Sequence, residues 1–327
     1  MLIIRRHNTD PCFNLATEEY VLKNFEEDSF MLWRNAPSII VGKHQNTLAE
    51  INVDYVKQNN IRVVRRLSGG GAVFHDLGNL NFTFIQKGKQ ESLIDFRKYT
   101  EPILEVLLKL GIDAKFEGRN DLTIGGRKFS GNAEHIWKNR VLHHGTLLFS
   151  AMMTDLTLAL NVDPEKFRDK AVKSVRSRVT NISEHLREPM DVMQFAALIE
   201  QHIVEKYPDA VFYDLSEDDH DNIHELVRTK YGTWEWNFGY SPQYNFKRVL
   251  RTERSGTIEF DIEVHNGKIL HLKIFGDYFN KFDTEEIELA LTGIDHQEEA
   301  IRLALSDFNI GDYFTNLTAD ELIRGLF

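Results

Sequence analysis

Between two runs of β-type residues, IRVVRRL and LNFTFIQK, lies the segment 65–79, RRLSGGGAVFHDLGN. Three consecutive glycines are costly to order inside a helix or a strand, so the chain must turn there. The loop joins strand to strand and does not open a helix. A P-loop would need G-x-x-x-x-G-K-[ST]. The Gly-Lys pairs at 42–43, 88–89 and 267–268 are followed by His44, Gln90 and Ile269, so none qualifies. A dinucleotide fingerprint would need a glycine where Phe74 stands and a helix after it.

A glycine loop of this kind can still bind an anion, because successive exposed backbone N–H groups form a nest without a helix terminus. Arg65 and Arg66 bring guanidinium forks suited to phosphate or carboxylate. Being adjacent on a strand, only one of them is expected to face a cleft. Ser68 adds a hydroxyl, and Ala72-Val73-Phe74 offers an apolar wall for a base or an acyl chain. The same residues also read as a glycine turn flanked by surface arginines.

A second segment, GRNDLTIGGRKFSGNA, sets Asn120-Asp121 and Arg127-Lys128 on either side of a Gly125-Gly126 turn. In a hairpin, Asp121 and Lys128 lie near one end of a sheet. A lysine there is a compact positive charge able to bridge a phosphate and a carbonyl oxygen as negative charge develops. Asp121 is a magnesium candidate, since that ion needs one or two carboxylates plus substrate phosphates. Taken alone, the segment reads rather as a surface Lys–Asp pair worth under ~1 kcal/mol.

The surrounding pattern is α+β. Asp10-Pro11 caps a helix running to about Phe25, and a second helix from about Asp95 puts Tyr99, Ile103, Val106 and Leu110 on one face. Short β-type runs occur at SFMLWRN and SIIVGKH, with a short helix at VDYVKQN. The region from LTI to VLHHGTLLF reads as β-rich. Helices are expected near Leu156, near Glu165, from Asp191 to Tyr207 and up to Tyr231. Asn266-Gly267 marks a type I′ hairpin, and two or three helices come after it. The expected division is a large domain over 1–244 and a small α+β domain over 245–327.

Composition narrows the function. With 39 Lys+Arg against 50 Asp+Glu the formal charge is −11, a poor match to general nucleic-acid binding. A single cysteine, Cys12, permits no internal disulfide. The start of the chain has no sustained apolar run and nothing approaches membrane-spanning length, so a cytoplasmic protein without membrane contact is expected, as a monomer. His143 and His144 are adjacent on a predicted strand and so point to opposite faces, which argues against joint metal ligation.

Together, RRLSGGGAVFHDLGN, GRNDLTIGGRKFSGNA, HHGTLL, SVRSRVTN and WEWNFG, in that order and spacing, resemble the signature of the lipoate–protein ligase family. The resemblance runs from the first helix to the C-terminal module. It implies mixed β-sheets flanked by helices, similar to biotin protein ligases and class II aminoacyl-tRNA synthetases, plus an accessory domain. It implies ATP- and Mg2+-dependent formation of lipoyl-AMP with release of pyrophosphate. The lipoyl group then passes to a lysine of the glycine-cleavage H protein or of 2-oxo-acid dehydrogenase lipoyl domains.

Carried over by motif, Lys128 is the lysine that contacts the adenylate phosphate and the acyl carbonyl, and Arg66 is the ATP-binding arginine. Gly71, Ala72, Val73 and Phe74 match the nucleotide-binding backbone. Ser68, Gly69, Gly70 and His75 belong to the same loop and line the acyl pocket together with Lys128. His75 is also a possible base for the transfer step. Three other readings stay open: a transferase of the same fold working through a cysteine thioester, a biotin ligase, and a non-catalytic lipoate-binding protein.

Overall fold

The computed structural model describes residues 1–88, 95–160, 167–169, 179–252, 256–276, 278 and 280–327. The helix expected near Glu165 and most of the SVRSRVTN motif lie outside these residues. The chain divides into two compact units. One comprises residues 1–43, 58–160 and 174–233; the other comprises 44–57, 161–173 and 234–327. Among the described residues no helix is long and apolar enough to cross a membrane.

The larger unit is built on eight strands: β1 (Leu2–Arg5), β2 (Ser29–Trp33), β6 (Asn79–Lys87), β7 (Ala114–Glu117), β8 (Asp121–Ile124), β9 (Arg127–Trp137), β10 (Arg140–Leu148) and β12 (Val211–Asp214). Their order is β12-β1-β2-β6-β10-β9-β8-β7. The pairs on either side of β1 are parallel and those from β2 to β7 are antiparallel, so the sheet is mixed. A three-stranded sheet joins β3 (Ser38–Val41), β4 (Arg62–Arg65) and β5 (Val73–His75) in the order β4-β3-β5. The glycine loop therefore connects β4 to the short strand β5, which the sequence pattern did not separate from β6.

Residues directly opposite each other in an antiparallel pair share a face, and neighbours along a strand alternate. Phe84 pairs with both Phe30 and His143, and Phe82 pairs with Gly145, so these lie on one face. That face is the core of the unit. It is covered by the helices Phe96–Lys109 and Val192–Lys206 through Tyr99, Ile103, Leu107, Phe195, Ile199 and Ile203. Both helices start where the sequence pattern predicts, with Asp95 and Asp191 accepting backbone N–H bonds at their N-caps.

The helix Pro11–Asn24, capped by Asp10 through the Phe13 N–H at 3.0 Å, serves the opposite face. It is buried nearly all round, which is why its apolar residues show no single stripe.

The second unit carries a four-stranded antiparallel sheet of β11 (Phe167–Asp169), β13 (Tyr244–Thr252), β14 (Gly256–His265) and β15 (Lys268–Gly276) in that order. The expected type I′ turn is present, with Asn266 at φ 50° and Gly267 at φ 76°. Among the described residues four short helices follow the β14–β15 hairpin, Glu285–Leu291, Glu298–Ala304, Ile310–Tyr313 and Ala319–Gly325, more than the two or three expected. The core of this unit gathers Phe246, Phe260, Ile262, Leu272, Ile287 and Leu322, and Leu48 joins it.

Candidate active site

The glycine loop begins where the β3–β4 ladder ends. The Arg66 N–H donates to Val41 O at 3.0 Å, and the Lys43 N–H donates to Ser68 O at 2.9 Å. Both arginines are buried, against the expectation that one would face a cleft. Arg65 donates to the carbonyls of Gly42 (3.0 Å) and Lys43 (3.1 Å). Arg66 donates from Nε to Ser68 Oγ at 3.0 Å and to the carbonyls of Ile40 (3.0 Å), Gly69 (2.7 Å) and Gly71 (2.8 Å).

A loop without a ladder has orphan carbonyls, and the Arg66 guanidinium fork collects them. Burial lowers the Arg66 pKa to about 10, and the nearby Glu18 charge opposes that shift, so the group stays cationic at neutral pH.

With the carbonyls drawn inward, the apex of the loop is left to solvent. Gly70 is exposed at φ 95° while Ser68, Ala72, Phe74 and His75 are buried. The left-handed conformation explains a glycine at the middle position. A second glycine, Gly42, is needed because a Cβ there would sit 2.0 Å from Gly70 O.

His144 lies beneath the loop. Its partner across β9 is Ala133 and across β6 is Thr83, so it points away from the aromatic core. Its Nε2 meets Ser68 Oγ at 2.6 Å and its Nδ1 meets the Glu18 carboxylate at 3.0 and 3.1 Å. His143 points the other way. It contacts Glu134 Oε1 at 2.9 Å and stacks on Tyr99 with 4.8 Å between ring centroids. The two histidines thus take different partners on opposite faces, as their adjacency predicts.

The Gly125-Gly126 turn, with φ 56° and 73°, joins β8 to β9 as expected. The pairing is not regular. Leu122 opposes Ser130, but Thr123 opposes Lys128, so Phe129 is an extra residue on β9. Such a bulge re-aims the side chains beyond it. Phe129 turns into the core with Leu122. Lys128 moves to the face shared by Asp121, Gly131, Ala133 and His144. Without the bulge, alternation would send Lys128 into the core face.

The Lys128 ammonium lies 2.8 Å from Asp121 Oδ1, with the two side chains 29% and 35% exposed, so both can reach a ligand. The Thr180 N–H donates to Lys128 O at 2.9 Å, pinning the backbone of the lysine. Lys128 and Asp121 therefore lie on the face of the sheet from which His144 reaches Ser68 of the glycine loop.

His75 is 2% exposed, and its Nδ1 accepts from the Asn35 amide at 3.1 Å, with Asn35 Oδ1 taken by Asn14 at 2.8 Å. The proton is therefore on Nε2, which has no partner among the described residues. Burial, reinforced by the Arg66 charge, lowers the His75 pKa to about 3. At neutral pH this imidazole is a donor and cannot act as the base entertained from the sequence.

Cys12 is buried, and burial with the Asp10 charge pushes its thiol up to about 11. A thiol held protonated is a poor nucleophile, which argues against a thioester relay.

For magnesium the fit is limited. Among the described residues no group of three His, Cys, Asp or Glu could hold a metal. Asp121, paired with Lys128, would offer a single carboxylate to an ion that takes its other ligands from phosphate and water.

A cavity of about 300 Å³ also exists in this unit, lined by Arg5, Arg6, Trp33, Arg34, Met193 and Glu200 among others, and it involves none of the predicted site residues.

Glu18, Thr83, Gly42 and the bulge at Phe129 were not foreseen. The one available signal was an adjacent acidic pair, Glu18-Glu19, in a helix whose other residues are largely apolar.

Residues 10–204 match the family model of the lipoyl protein ligase A/B catalytic domain, and residues 241–326 match that of the bacterial lipoate protein ligase C-terminus. Lipoate–protein ligase 1 of Staphylococcus aureus is 46% identical over 99% of this chain and 99% of its own.

Among solved structures, lipoate-protein ligase A bound with ATP superposes with a TM-score of 0.63 at 26% identity, covering 73% of this chain and 98% of that one. A bipartite lipoate protein ligase from Thermoplasma acidophilum, studied with its E2 lipoyl domain, superposes with a TM-score of 0.64 at 25% identity, over 73% of this chain and 96% of that one.

Proposed function

This chain belongs to the lipoate–protein ligase family, and from that premise we propose that Lys128 is the residue on which both steps of its ATP-dependent reaction turn. In the first step a lipoate carboxylate oxygen attacks the α-phosphorus of ATP. Pyrophosphate leaves and lipoyl-AMP forms. In the second, the neutral amine of an acceptor lysine attacks the acyl carbonyl, the amide forms, and AMP leaves with the bonding electrons.

Negative charge builds first on the α-phosphate and then on the acyl oxygen. A fixed ammonium between those groups stabilises both. The observation that carries this assignment is the Lys128 ammonium, re-aimed by the bulge, held 2.8 Å from Asp121 and still partly exposed.

The loop residues take complementary roles in this reading. The backbone of Gly71, Ala72, Val73 and Phe74 would hold the adenylate, and Gly69 and Gly70, of which Gly70 is exposed, would border the acyl pocket. Arg66 acts on the nucleotide by shaping the loop from behind. Lys128 reaches the acyl group, and Ser68 and His75, buried in this structure, would form the wall of the acyl pocket behind it. Asp121 would supply one oxygen to Mg2+, which screens phosphate charge when bound.

The acceptor lysine has a reference pKa near ~10.4 and gives up its proton before attack. Since His75 is held neutral with Nε2 protonated, solvent is the proposed proton acceptor. We assign catalysis to residues 1–244, an accessory role to 245–327, and the acceptors to the glycine-cleavage H protein and 2-oxo-acid dehydrogenase lipoyl domains, in the cytoplasm.

The test is pyrophosphate release on mixing the protein with ATP, Mg2+ and lipoate, and then lipoylation of a panel of purified acceptor domains. Lipoate binding without pyrophosphate release would overturn the assignment, and failure on every panel member would overturn the acceptor class.

A further inference from the structure

We propose that Glu18 and His144 are positioning residues that hold the glycine loop in its nucleotide-receiving shape, by ordering the Ser68 hydroxyl and through it the Arg66 guanidinium. The proposal rests on the reading of the loop as the ATP cradle.

With His144 as a neutral imidazole, chemistry sets each hydrogen-bond direction. An indole N–H and a guanidinium Nε–H only donate, and a carboxylate only accepts. Trp33 Nε1 donates to Thr83 Oγ1 at 2.9 Å, so the Thr83 hydroxyl donates to Glu18 Oε1 at 2.5 Å. His144 Nδ1–H donates to the same carboxylate at 3.0 and 3.1 Å. In the neutral ring this leaves Nε2 as an acceptor for the Ser68 hydroxyl at 2.6 Å. The Ser68 oxygen is then free to accept Arg66 Nε–H at 3.0 Å, and the rest of that guanidinium holds Ile40, Gly69 and Gly71.

Every member is buried, with Glu18 at 2%, His144 at 8%, Ser68 at 1% and Arg66 at 6% exposure, so water cannot readily replace a lost partner. The order Ser–His–Glu resembles a nucleophilic triad. It is not one here, because the Ser68 oxygen is enclosed and already accepts from a cation. The same three groups serve instead as a strut between the Pro11–Asn24 helix and the loop.

The experiment compares KM for ATP, kcat of pyrophosphate release and thermal stability in His144→Leu, His144→Gln and Glu18→Gln, with Lys128→Ala as reference. A glutamine at 144 can set its amide oxygen where Nε2 now accepts. His144→Leu is expected to raise KM for ATP about tenfold or more, the factor of a lost charge-linked hydrogen bond, with kcat within about threefold of the parent. His144→Gln should recover most of that loss. Glu18→Gln, which removes the carboxylate charge that anchors His144, should raise KM in the same direction.

A merely structural role would lower the melting temperature and leave KM for ATP of the folded protein unchanged, and that result overturns the strut. If His144→Leu fails to fold, a parental KM for ATP in folded Glu18→Gln overturns it equally. Parental pyrophosphate release by Lys128→Ala would overturn the reading of the site, and with it this proposal. A parental KM for ATP in the strut variants with an inactive Lys128→Ala overturns the strut alone.

Discussion

The glycine loop and the β8–β9 hairpin each carry one half of the candidate site, and they are held by different physics. The hairpin has a ladder. Its backbone groups are paired by strand neighbours, and one bulge suffices to turn Lys128 onto the working face. The loop has no ladder, so side chains do that work: the Arg66 guanidinium collects its carbonyls, and a buried chain to Glu18 fixes Arg66. A region held by its backbone pairing tolerates side-chain change better than one held by side chains. The loop should therefore fail through ground-state binding and stability, and the hairpin through the chemical step.

The largest expected effect lies on the hairpin. Lys128→Ala should lower kcat for pyrophosphate release by about 100- to 1,000-fold, the usual cost of removing one preorganised charge-stabilising donor. Lipoate affinity should change far less. Equal losses in both would erase the distinction between the two regions.

Next is Gly42→Ala, which tests the loop through the backbone it rests on. The added Cβ meets Gly70 O at 2.0 Å, and neither partner is a flexible side-chain tip. A loss of roughly 1–3 kcal/mol of stability, with a raised KM for ATP, is expected from overpacking of this kind. Parental values in a thermal melt and in ATP titration would show that the loop is not seated on Gly42.

The two regions should also answer pH in opposite senses. On the loop side, His75 has a folded pKa of about 3 against a reference of 6.5. The unfolded chain binds the extra proton in that window, so stability is complete above about 6.5 and falls as pH drops toward 3. On the hairpin side, burial raises Glu134 on β9 from 4.5 to about 7. There the folded chain keeps the proton longer, so stability is complete below about 4.5 and falls as pH rises through 7. His75→Gln should flatten the acid limb of a melting-temperature profile, and Glu134→Gln the neutral limb. Exchange of the two outcomes would reverse the assignment.

The smallest expected effect is that of Cys12→Ser. The thiol is buried and lies in neither region, so kcat and KM should match the parent. Abolished turnover would revive a thioester relay.

The parts legible in the sequence are those whose cause is local. Asp10-Pro11, Asp95 and Asp191 announce helix starts because a short polar side chain meets the orphan N–H groups of the next turn. Gly125-Gly126 and Asn266-Gly267 announce tight turns because positive φ suits few other residues. The strings around Lys128 and Gly69–Gly71 stand out for a related reason, since their glycines and charged residues sit close together in the chain. Arg66 was found but its geometry was not, because the number of carbonyls it collects depends on how the loop folds back. The Phe129 bulge was also invisible, since an extra residue shows only against a partner strand.

The sequence by itself determined the main helices, the tight turns and the residue types of the candidate site: a glycine loop suited to an anion and a lysine beside an aspartate. Only the tertiary structure decided which face each group occupies and what holds it there. Face is a property of strand register, and register is set between segments far apart in the chain. Glu18, Thr83 and His144 acquire their meaning in the same way. Each is an ordinary residue in its own string, and they become a strut only where a helix, two adjacent strands and a loop converge in a space closed to water.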